Sequence, residues 1–132
     1  MKKDIPIKKV EDLVVAVVPR PDEKEFWDVF LINLKEVPIR FVLVSARGYG
    51  ELEGESRKTT TLRHFFEEIG PMQVVQVEPI HIELFDLTHE FWVSFLFEQY
   101  LYDKKYVFVH GTMHEDYFTP IPFLQRRGVM IR

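Results

Sequence analysis

At 132 residues, with 46% apolar and 14% aromatic content, the chain has the size and composition of one folded domain and not of a disordered segment. Its 17 basic and 21 acidic side chains leave a net charge of −4, which offers no general attraction to nucleic acid. Cysteine is absent, which excludes disulfides, thiolate metal ligands and a cysteine nucleophile and makes a reducing cytoplasm the expected location.

The first nine residues, Met1 to Lys9, begin like the basic region of a signal peptide. No apolar stretch or small-residue cleavage site follows, so export is not expected. Leu13 to Val18 is Val-rich and apolar at every position, which suits a strand buried on both faces, and Pro19-Arg20-Pro21-Asp22 stops it. Runs of this length fall far short of the roughly 20 residues of a membrane helix, so no membrane partner is expected. Phe26 to Asn33 has aromatic and β-branched strand character, Leu34 to Pro38 reads as its turn, and Arg40 to Ala46 reads as its hairpin partner. Gly48 to Ser56, with three glycines and three glutamates, reads as an exposed mobile loop.

Thr59-Thr60-Thr61 favours a strand, and Leu62 to Ile69 is read as strand in preference to two helical turns ended by Gly70-Pro71. Val74 to Phe85 holds one or two strands around Pro79. Glu90 to Phe97 carries the clearest alternation, with Phe91, Val93, Phe95 and Phe97 on one face and Trp92, Ser94, Leu96 and Glu98 on the other. A turn near Asp103-Lys104 and a returning strand from Tyr106 to Val109 follow, then an extended Thr119-Pro120-Ile121-Pro122 and an edge strand from Gly128 to Arg132. The pattern predicts a single all-β domain over residues 1–132, an immunoglobulin-like antiparallel two-sheet sandwich of about seven to nine strands with at most one short helix. A flattened barrel is the second architecture.

The densest cationic segment is Arg57-Lys58-Thr59-Thr60-Thr61-Leu62-Arg63-His64. As one continuous strand it would set Arg57, Thr59, Thr61 and Arg63 on one face, a row of donors suited to a phosphate or carboxylate. Lys58, Thr60 and His64 would take the other. With Arg47 and Tyr49 these residues form the candidate small-anion site, weighed against a solvated face whose arginines pair with Glu51, Glu53, Glu55 or Glu67. A P-loop is excluded, because Glu55-Ser56-Arg57 separates Gly54 from Lys58 and three glutamates would repel phosphate.

His110 and His114 have ligand-like spacing only on a helix, which Gly111-Thr112 opposes, so no metal and no cofactor are expected. Ser45, Ser56 and Ser94 lie in no nucleophile elbow, and Glu67-Glu68 and Glu115-Asp116 would face apart in a strand. Tyr49, Tyr100, Tyr102, Tyr106 and Tyr117 exceed what a core needs, so they are expected either to contribute to a protein-binding surface or to line the rim of the core.

Over most of its length the chain resembles a group of short bacterial proteins of unknown function, through Leu31-Ile32-Asn33, Val44-Ser45-Ala46-Arg47-Gly48-Tyr49, the segment from Lys58 to His64, and Pro120-Ile121-Pro122. Some of that group carry the name phenylalanyl-tRNA synthetase subunit. The resemblance implies association with such a synthetase, whereas the catalytic motifs F-R-x-E and G-x-G-x-x-R do not occur here. The sequence therefore favours a non-catalytic protein-binding or assembly module using a sheet face or edge, with self-association as a homodimer among its forms. A small anionic-ligand site or enzyme near Arg57 to His64 is the alternative, and tRNA-synthetase association is the third reading.

Overall fold

The computed structural model describes residues 9–132, and the basic run from Met1 to Lys8 lies outside the described residues. The first sheet is built around β1 (Leu13–Pro19), which pairs antiparallel with β2 (Phe26–Asn33) in the register Val15 to Leu31 and Val17 to Val29. β6 (Val74–His81) adds outside β2, and β10 (Arg126–Ile131) on the other side of β1 carries the short β9 (Thr119–Ile121). Pro79 is tolerated within β6 because that strand pairs only with β2 and can leave an amide donor out.

The second sheet is built around the 14-residue β3 (Ile39–Leu52). One side of β3 pairs with β7 (Thr88–Phe97), which carries β8 (Tyr100–Phe108). The other side pairs with two strands laid end to end, β4 (Glu55–Lys58) and β5 (Leu62–Ile69). Two single-turn 3-10 segments, Ile82–Leu84 and Glu115–Tyr117, complete the described elements. The molecule is thus an all-β antiparallel sandwich of two five-stranded sheets. The described residues form ten strands where the sequence suggested seven to nine.

Alternation decides which side chains meet between the sheets. Leu13, Val15 and Val17 of β1 and Val29 and Leu31 of β2 pack against Val42 and Val44 of β3 and Phe91, Val93 and Phe95 of β7. Each such buried side chain contributes about 1.5–3 kcal/mol of transfer free energy. The intervening residues Val14, Ala16, Val18, Phe30 and Ile32 join Ile121 in a second apolar cluster on the far face, so β1 is buried on both sides, as its unbroken apolar run implies. Tyr106 is fully buried and donates its hydroxyl to the Leu13 carbonyl at 2.8 Å, a link between the sheets. Asn33, also fully buried, donates to Val37 O at 3.0 Å and Gly70 O at 2.9 Å and accepts from Lys35 N at 3.0 Å. One amide therefore ties the β2–β3 corner to the β5–β6 corner.

Several local expectations change. β3 is not the hairpin partner of β2, because the chain from Leu34 to Pro38 crosses to the other sheet and β2 pairs with β1 and β6 instead. The glycine-rich stretch is not a mobile loop, since β3 runs on to Leu52 and returns as β4 after a turn at Glu53-Gly54, both with positive φ. Leu62–Ile69 is strand, but Thr59 to Thr61 interrupts the edge and is not strand. The turn before β8 falls at Glu98-Gln99, with φ of 48° and 72°, and Asp103-Lys104 lies mid-strand. β10 lies between β1 and β9 in the sheet order, with Arg126 to Gly128 paired to β9 and Val129 to Ile131 paired to β1 alone, so the expected edge from Gly128 to Arg132 holds over Val129 to Ile131 and not at Gly128.

Candidate functional site

The outer face of the second sheet is the most distinctive surface among the described residues. Register places Phe65, Leu43, Ser94 and Asp103 in one row across β5, β3, β7 and β8. The next row holds Arg63, Ser45, Trp92 and Lys105, and the one after it Arg47, Glu90 and Val107. Phe65 is 61% exposed and Trp92 45%, and Leu43 and Val107 are exposed beside them. Large apolar groups lie here in contact with water, although the core beneath the same strands is closed.

Cations surround these rings. Lys105 places Nζ 4.6 Å from the Trp92 ring centre, and Arg47 sits over Tyr49 at 5.3 Å while its Nε donates to Glu90 at 3.0 Å. Arg63 and Lys58 have no carboxylate within ion-pairing distance among the described residues. Two shallow hollows meet at Arg47 and Thr61. One, of about 310 Å³, adds Ser45, Arg63, Glu90 and Trp92. The other, of about 400 Å³, adds Gly48, Tyr49, Lys58 and Thr59.

Six of the eight residues proposed from sequence, Arg47, Tyr49, Lys58, Thr59, Thr61 and Arg63, line these adjoining hollows. Arg57 and His64 do not. The expected row of Arg57, Thr59, Thr61 and Arg63 fails because the strand is broken: Lys58 lies opposite Tyr49 and Arg63 opposite Ser45, so the parity shifts across Thr59 to Thr61. Thr59 marks the break, donating its amide to Gly48 O at 2.8 Å and accepting from Gly48 N at its hydroxyl at 2.7 Å. Arg57, opposite Gly50, falls on the other side of the sheet.

His64 turns inward, where its Nε2 meets Glu78 Oε1 of β6 at 2.7 Å and clasps the edges of the two sheets together. Beside this pair a cleft of about 140 Å³ opens between the sheets, lined by Gly48, Thr59, Glu78, Ile80, His89 and Phe91 among others. His89 is only 5% exposed, and its Nε2 lies 2.7 Å from the Leu84 carbonyl. A carbonyl can only accept, so Nε2 carries the proton and neutral His89 has an unprotonated Nδ1. Burial pushes the His89 pKa down, with the Leu84 bond and the charge of Glu78 partly offsetting it. Sequence reasoning missed His89 because both features that define it, the Leu84 carbonyl and the cleft, come from tertiary placement.

Two of the remaining histidines serve local turns. His81 and His114 each accept an amide two residues ahead at the head of a 3-10 turn, from Glu83 and Asp116 respectively. Among the described residues no group of three or more His, Asp or Glu side chains is arranged to hold a metal ion. Among the tyrosines, Tyr106 is core, Tyr102 stacks on Phe95 at 5.2 Å, and Tyr100 and Tyr117 are exposed. No protein family, curated protein or solved structure matches this chain.

Proposed function

We propose that the chain is a binding module that docks a protein partner on the outer face of its second sheet, the partner presenting apolar side chains fringed by carboxylates. The observation that carries this reading is the exposure of Phe65, Leu43, Trp92 and Val107 on one face, together with Arg63 and Lys58 free of carboxylate partners there. A protein with a net charge of −4 that keeps cations beside exposed rings presents a local field opposite to its own average. Aromatic and arginine side chains are also the groups that dominate binding energy at protein interfaces.

A photo-crosslinking residue in place of Leu43 tests the reading in the cell of origin. The expected result is one discrete adduct that the charge reversal Arg63→Glu with Lys105→Glu abolishes. An adduct of twice the chain mass identifies a second copy as the partner. Labelling no stronger than from a control site at Glu23 would overturn the reading.

A second reading, small-anion binding, is favoured by the convergence of Arg47, Lys58 and Arg63 with Thr59 and Thr61 around the joined hollows. Its test is a thermal-shift screen of phosphates and carboxylates against wild type and Lys58→Ala with Arg63→Ala. It fails if no anion raises the melting temperature of wild type.

A further inference from the structure

The inter-sheet cleft presents hydrogen-bond acceptors. His89 Nδ1 has no hydrogen-bond partner among the described residues, yet it is not a sealed, unsatisfied atom, so it opens onto the cleft that the ring lines. Its position is fixed by Gly48: a Cβ at that residue would stand 3.1 Å from His89 Cε1 and 3.2 Å from Nδ1. The missing side chain is what leaves room over the ring nitrogen. Glu78 lines the same cleft with one oxygen committed to His64, and the other has no hydrogen-bond partner among the described residues.

The nitrogen donors of His89, His64 and Arg47 are engaged there, while the Thr59 and Thr60 hydroxyls of the lining can both donate and accept. His89 Nε2–H goes to Leu84 O, His64 Nε2 is engaged by Glu78, and the Arg47 guanidinium is drawn to Glu90 on the opposite face of the sheet. The Thr59 hydroxyl oxygen already accepts from Gly48 N. Phe91 contributes an aromatic wall, and Ile80, Leu84 and Ala46 apolar ones. A half-buried carboxylate oxygen, an imidazole lone pair and an aromatic ring select a compact group that is positively charged and rich in N–H donors. An anion would meet a carboxylate with no free cation to offset it.

We propose that this cleft is a binding site for a primary ammonium group, held by His89 Nδ1 and the Glu78 carboxylate. A volume of about 140 Å³ admits an ammonium with a few carbon atoms, so the source is a small free amine or a lysine side chain of a docked protein. The cleft lies between the sheets and adjoins the outer-face hollows, with which it shares Arg47, Gly48 and Thr59, while His89 and Glu78 belong to the cleft alone.

Methylammonium is the probe, with tetramethylammonium as a cation of equal charge that has no N–H to donate. In protein labelled with nitrogen-15 at histidine, methylammonium is expected to shift the His89 Nδ1 resonance to saturation while tetramethylammonium does not. Glu78→Gln, which removes the charge, is expected to weaken methylammonium about tenfold, or ~1.4 kcal/mol. Gly48→Ala, whose Cβ would cover Nδ1 and press on the His89 ring while leaving the Glu78 carboxylate unchanged, provides an independent second variant with the same expected direction. Nα-acetyl-lysine methylamide is titrated in parallel, and whichever probe saturates at lower concentration identifies the source. The same unsaturating drift from both simple cations, or methylammonium affinity unchanged in both variants, would overturn the proposal.

Discussion

Tyr106→Phe isolates a single buried hydrogen bond and its cost can be worked out from the structure. The ring is 0% exposed and its hydroxyl donates to Leu13 O at 2.8 Å, across the sandwich. Phenylalanine keeps the ring packing and removes the donor, so the loss is the bond plus the desolvation of a carbonyl left short of a partner, about 2 kcal/mol together. Unfolding entropy of about 2.1 cal/mol/K per residue gives ~0.28 kcal/mol/K for a chain of 132 residues. The melting temperature should therefore fall by about 7 °C.

Urea titration followed by Trp fluorescence checks the free energy, and calorimetry checks the shift. Tyr117→Phe, at a residue 61% exposed, is the control and should stay within about 0.5 kcal/mol of wild type. The pH dependence offers a second readout. Burial raises the Tyr106 pKa well above its ordinary value of 10.0, so the folded state holds that proton where the unfolded chain releases it. The contribution is complete below pH 10.0 and is lost as the pH rises towards the folded value. Tyr106→Phe should be less sensitive than wild type over that alkaline range. A variant as stable as wild type at neutral pH would refute the account.

His89, with a lowered pKa, acts in the opposite direction: stability is complete above its ordinary value of 6.5 and declines as pH falls below it, and the acid side of a urea-midpoint profile should be flatter in His89→Phe. Asn33→Ala removes three good hydrogen bonds at a fully buried position and should cost about 3 kcal/mol in chemical denaturation. A Cβ at Gly128 would stand 2.5 Å from Val17 O and 3.1 Å from Val18 Cα, both backbone atoms, so Gly128→Ala should cost about 1–3 kcal/mol by forcing β10 away from β1. Replacing Glu98-Gln99 by Asn-Gly, the pair suited to two positive φ values, should raise the melting temperature.

What the sequence revealed was what local pattern controls. Phe91, Val93 and Phe95 lie in the core with Trp92 exposed, as period-two alternation requires, and β1 is buried on both faces, as its unbroken apolar run implied. The β7–β8 turn was misplaced because Glu98 and Gln99 adopt left-handed conformations without the Gly or Asn that normally mark them. β3 was shortened because its glycines looked like a loop, whereas Gly48 is extended and leaves space beneath His89. The candidate cations were found by density alone, and their faces were misjudged because Thr59 replaces a strand residue at the break. No local pattern could bring His64 to Glu78, since that meeting depends on a corner between two sheets.

The interruption between β4 and β5 bears on how this protein behaves when crowded. An uninterrupted edge from Glu55 to Ile69 would offer a long template for a foreign strand, and the phase change at Thr59 to Thr61 means no straight intruder can satisfy both halves at once. Mending that break with a regular strand sequence would remove the obstacle, and fibrous self-assembly would be its expected symptom.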